Sequence, residues 1–65
     1  MDEILRYTDL AHTIQMARAA GFSTREIVRV LSGSLSHADA RELAKRAAPL
    51  LGLTTQEFLN LRKNN

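Results

Sequence analysis

The side chains in this sequence best suited to chemistry are cationic. Arg25 and Arg29 stand one helical turn apart, as do Arg41 and Lys45, and Arg46 and His37 lie close by. Such spacing suits phosphate oxygens, because Arg presents a planar fork of donors, Lys a point charge, and each neutralised phosphate releases a counterion. Arg25, Arg29, His37, Arg41, Lys45 and Arg46 are therefore the candidate nucleic-acid contacts, to phosphates or base edges. Other chemistry lacks its reagents. The chain has no cysteine, so it offers no thiolate nucleophile, no thiolate zinc site and no disulfide. His12 and His37 stand apart, without acidic neighbours at metal-ligand spacing, and no glycine-rich phosphate loop is present. A helical chain of 65 residues rarely encloses a substrate pocket. We expect neither an enzyme nor a metal or other cofactor.

The elements that must carry these residues announce themselves by their ends. Phe22-Ser23-Thr24-Arg25-Glu26-Ile27 places a hydroxyl at a helix N-cap and a carboxylate three residues later. Each can bond a backbone N–H that the helix start leaves unpaired, forming a capping box, and Phe22 and Ile27 can meet as a hydrophobic staple. Leu35-Ser36-His37-Ala38-Asp39-Ala40 repeats the layout with a shorter acid, and Leu53-Thr54-Thr55-Gln56-Glu57-Phe58 repeats it with full strength. Gly21, Gly33 and Gly52 follow the helical patterns as candidate left-handed C-terminal caps. The spacing predicts helices over about 3–20, 24–32, 37–51 and 55–62, with no period-two run that argues for a strand.

Helical periodicity then assigns the core. The first helix offers Ile4, Tyr7, Leu10, Ala11, Ile14 and Ala17, and the second Ile27, Val30 and Leu31. The third offers Ala40, Leu43, Ala44, Ala47 and Leu50 or Leu51, and Phe58, Leu59 and Leu61 close the bundle. Pro49 conflicts with a continuous third helix, which should kink there or end and restart as a short turn through Leu51. The expected fold is all-α, a compact bundle of four short helices with a helix-turn-helix-like centre, in one domain over residues 1–65.

Composition sets the outer bounds. At 45% apolar and 25% charged residues, the chain has the make-up of a globular domain near the lower size limit for a single core. It carries no apolar run long enough to span a membrane, and Met1-Asp2-Glu3 lacks a signal-peptide layout, so the cytoplasm is the expected compartment. The net charge of +2 is too small to imply a nucleic-acid partner by itself. It is unevenly spread, however: residues 23–65 hold seven basic and four acidic groups, residues 1–22 two and three.

The stretch Ala19-Ala20-Gly21-Phe22-Ser23-Thr24-Arg25-Glu26-Ile27-Val28-Arg29-Val30-Leu31 resembles the opening of many helix-turn-helix DNA-binding domains of the resolvase and Cro/repressor types. In those a helix ends in Gly, an apolar residue follows, and a Ser-capped helix reads roughly Ser-x-Arg-Glu-Ile-Ala-x-x-Leu. Leu51-Gly52-Leu53-Thr54-Thr55-Gln56-Glu57-Phe58-Leu59 is similar to the closing helices of Cro/repressor-type domains. The resemblance implies a small transcriptional regulator, of the kind found with phages and plasmids, that lays its third helix in the major groove of double-stranded DNA. From Val28 to the third helix the chain departs from the pattern. The turn at Ser32-Gly33-Ser34-Leu35 is about two residues longer, Val28 replaces the usual small residue, and Asp39 and Glu42 are among the first exposed positions of the third helix.

Those departures keep a second reading open: a helical protein-interaction module that binds and inhibits or adapts another protein. Leu5 and Met16 form a second apolar strip on the first helix, with His12 between them. A helix apolar on two sides usually has something against it, and a homodimer through this strip would add stability to a small core. Leu5, His12 and Met16 are the candidate protein interface, joined on this reading by Asp39 and Glu42. Acids pointing away from the basic residues of the third helix would favour DNA; acids interspersed among them would favour a protein partner.

Overall fold

The structure, a computed structural model, describes the backbone of residues 7–63 and the side chains of residues 9–63. Ile4, Leu5 and the side chain of Tyr7, named above for the core or the second strip, lie outside the described residues. Four helices follow in order: α1 (Tyr7–Ala19), α2 (Thr24–Ser32), α3 (His37–Leu50) and α4 (Thr55–Lys63). The Cα radius of gyration is 10.5 Å, in line with the roughly 11 Å of a folded chain this long. The fold is an all-α bundle of four short helices.

Cap chemistry sets the boundaries. At α2 the N–H of Glu26 donates to Ser23 Oγ at 3.2 Å, and the N–H of Ser23 donates to Glu26 Oε1 at 2.8 Å. At α4 the N–H of Glu57 donates to Thr54 Oγ1 at 3.0 Å, and that of Thr54 to Glu57 Oε1 at 2.8 Å. Both are complete capping boxes. At α3 Ser36 Oγ accepts from the N–H of Asp39 at 3.2 Å, but the shorter aspartate does not return the bond.

Two helix ends also match. The N–H of Phe22 reaches Ala17 O while that of Gly21 reaches Arg18 O; likewise Leu53 reaches Ala48 O and Gly52 reaches Pro49 O. This is the Schellman closure, with Gly21 at φ 93° and Gly52 at φ 74° in the left-handed region. Gly33 differs from expectation. It is right-handed, at φ −60° and ψ −32°, and its smallness answers a different need: a Cβ there would lie 2.6 Å from the carbonyl oxygen of Arg29. Pro49 does not end α3 and restart it: the helix continues through it to Leu50, and Leu51 caps the end. Proline leaves the Lys45 carbonyl without its usual N–H donor, but Lys45 and Pro49 are both exposed, so water can take that place.

Each glycine turn thus joins two helices into a hairpin, α1–α2 and α3–α4, and the hairpins are written alike. Gly21-Phe22-Ser23-Thr24-Arg25-Glu26-Ile27-Val28-Arg29-Val30 aligns with Gly52-Leu53-Thr54-Thr55-Gln56-Glu57-Phe58-Leu59-Asn60-Leu61. Packing follows the same correspondence. α1 lies against α3 and α2 against α4, so matching helices meet, while α2 and α3 sit across the diagonal.

One core draws on all four helices: Leu10 and Ile14; Ile27 and Val28; Ala40, Leu43, Ala44, Ala47 and Ala48, with Leu51 beyond; and Phe58 and Leu59. Ala17, Leu31, Leu50 and Leu61 are partly buried against it, and Ala11 is half-buried. The alanine face of α3 lets its neighbours approach closely. Val30 corrects the sequence-based core: it is 68% exposed, whereas Val28 and Ser32 are fully buried. Burying Ser32 is feasible because its hydroxyl donates to Val28 O at 2.6 Å, which satisfies the polar group inside the core.

Candidate functional site

The core-facing sides of α2 and α3 determine what those helices show to solvent. With Ile27, Val28 and Ser32 turned inward, α2 presents Arg25 and Arg29 on one flank, Val30 on the other and Glu26 between them. All four are exposed. Within the described residues, the side chains of Arg25 and Arg29 make no hydrogen bond or ion pair. Glu26 is held by its own helix start: hydrogen bonds from the backbone and then the side chain of Ser23 lower its pKa below the ordinary 4.5.

On α3 the inward residues leave Asp39, Arg41, Glu42, Lys45 and Arg46 exposed. Helical geometry places Arg41 and Lys45 on one flank and Asp39 and Arg46 on the other, with Glu42 in the middle. Lys45 Nζ donates to Glu42 Oε2 at 3.1 Å, with both side chains more than half exposed. Acid and base therefore alternate across this face. His37 opens α3 and is exposed, and Arg41 has no partner among the described residues. The six candidate nucleic-acid contacts are thus divided between two helices that lie diagonally across the bundle.

Of the second strip, His12 and Met16 are exposed, Met16 by 60%, and Leu5 lies outside the described residues. Near the end of α1, an Arg18 guanidinium nitrogen donates to Thr24 Oγ1 at 3.3 Å, bridging the first hairpin. Phe22, in its turn, is 43% exposed while Ile27 is buried, so much of the Phe22 ring stays in water.

Sequence reasoning missed Arg62. From α4 its guanidinium donates to Ser32 O (Nε, 3.2 Å) and to Leu35 O, clamping the segment between α2 and α3. Those carbonyls lie 30 and 27 positions away, and nothing local in the sequence links them.

The hydroxyls of Ser23, Ser36 and Thr54 accept from backbone N–H groups. Among the described residues, no three His, Asp or Glu side chains come together to hold a metal ion, and no helix is long and apolar enough to cross a membrane. No protein-family model matches the chain, and neither a characterised protein nor a solved structure is measurably similar to it.

Proposed function

We propose that the protein is a small protein-binding module, acting on another protein as an inhibitor or adaptor. The alternation of charge on the exposed face of α3 carries this reading. DNA presents uniform negative charge, about one per 1.7 Å of helix axis, and Glu42 at the middle of that face would meet phosphates of its own sign. A protein surface of mixed sign can instead pair Asp39, Arg41, Glu42 and Lys45 individually. The exposed apolar side chains of Met16 and Val30 supply what a protein partner uses and a phosphate backbone does not.

DNA binding is the second reading, favoured by the side chains of Arg25, Arg29 and Arg41, which have no partner among the described residues, and by the helix-turn-helix resemblance. His37, Lys45 and Arg46 complete the contact set on that reading. Self-association through α1, with His12 and Met16 at the contact, is compatible with both.

The discriminating experiment has two arms. Fluorescence anisotropy of a mixed-sequence duplex at low and moderate salt should show no binding of micromolar strength. Affinity capture should retain a partner on the wild-type protein and lose that partner on Arg41→Glu/Lys45→Glu. Micromolar duplex binding that falls steeply with salt, and that Arg41→Ala/Lys45→Ala abolishes, would overturn the protein-binding reading in favour of DNA.

A further inference from the structure

We propose that the outer side of α2, with Phe22 at its entrance, docks an acidic amphipathic segment of the partner protein; this rests on the protein-binding reading above. The two hairpins supply the comparison. Phe22 and Val30 occupy the positions of Leu53 and Leu61 in the second hairpin. Leu53 and Leu61 are partly buried against the core, whereas Phe22 and Val30 are 43% and 68% exposed. The first hairpin keeps apolar side chains at positions that its own fold does not cover.

Charge gives the ligand its sign. Arg25 and Arg29 replace the neutral Gln56 and Asn60 of the second hairpin. They stand one turn apart without partners among the described residues. The sole acid of α2 does not answer them, because the carboxylate of Glu26 is bound to the backbone N–H of Ser23 at 2.8 Å. Two unanswered guanidinium groups match two carboxylates one turn apart on a facing helix, each able to accept a bidentate fork. Val30 and Phe22 then receive apolar side chains from the same segment, the usual way an amphipathic helix anchors itself. A phosphate backbone would satisfy the arginines but leave both apolar groups unused.

The test uses three labelled synthetic peptides of about fifteen residues, all with the same spacing of anchor positions. One has leucine anchors and a glutamate face, the second has lysine in place of glutamate, and the third has serine in place of leucine. Nitrogen-15 chemical shifts of the whole protein locate the contact, and anisotropy measures affinity. The glutamate–leucine peptide should bind, shift Phe22 and Arg25 to Val30, and bind at least about tenfold more tightly than either control. Arg25→Glu/Arg29→Glu should abolish binding and Val30→Ser should weaken it several-fold; all three side chains are exposed, so helicity measured by circular dichroism should hold. Equal binding of the lysine peptide, or binding by none of the three, overturns the proposal. Shifts confined to Asp39–Arg46 overturn it while leaving a protein-binding module standing. Duplex DNA that shifts Arg25 and Arg29 with steep salt dependence overturns both.

Discussion

Arg62 and Glu26 show how single side chains hold this small bundle. Arg62 serves two carbonyls at once, which suits a fork of donors and not an ammonium group. Arg62→Ala should therefore cost about 1–2 kcal/mol, or roughly 5–15 °C in Tm for a domain this small. Arg62→Lys should recover less than half of that loss in a thermal melt followed by circular dichroism; full recovery would mean that charge, not the fork, is what matters. Glu26 makes a prediction about acid. Its pKa is lowered in the folded chain by hydrogen bonds from Ser23, so its contribution to stability is complete above its ordinary value of 4.5. That contribution is lost as pH falls through the lowered folded value. Glu26→Gln keeps an acceptor for the Ser23 N–H but cannot titrate. Between about pH 6 and pH 3 its melting temperature should fall less than that of the wild type; parallel curves would exclude the Glu26 contribution.

At the scale of elements, the boundaries were legible because their causes are local. A Schellman glycine and a capping box act within about five residues, and the helices predicted over 24–32, 37–51 and 55–62 end within a residue of the observed ones. The rotation of α2 was not legible. Apolar composition favours the stripe Ile27, Val30 and Leu31, but the helix turns to bury Val28 and Ser32, an option that depends on the serine bonding back to Val28. The pairing of α1 with α3 and of α2 with α4 could not be read from any one helix, because each apolar stripe accepts several partners. Of the candidate site, the exposure of the basic residues followed from periodicity. The exposure of Val30 and the clamp by Arg62 did not, since both depend on how the helices meet. The small residues of α3 carry their own prediction. Ala47 is fully buried, and Ala47→Leu should cost about 1–3 kcal/mol by overpacking, read as a lower denaturation midpoint. An unchanged midpoint would mean that the neighbouring helices are not held at alanine distance.

For the molecule as a whole, the margin is narrow: domains of this size are stable by about 3–10 kcal/mol. Association offers one source of further stability, and α1 leaves Met16 60% exposed. Self-association through that strip predicts a two-chain mass for the wild type in light scattering and a one-chain mass for Met16→Glu. A two-chain mass retained by the variant would place the contact elsewhere. The Arg62 clamp also imposes an order in time, because a chain is made from its N-terminus onward. The first hairpin emerges with its glycine turn and capping box already encoded within it, so those bonds need no residue made later. The clamp itself must wait: Arg62 lies in α4, so its bonds to Ser32 O and Leu35 O can form only after α4 has been synthesised. The link that α4 makes to the turn between α2 and α3 is thus among the last contacts of the fold to be made.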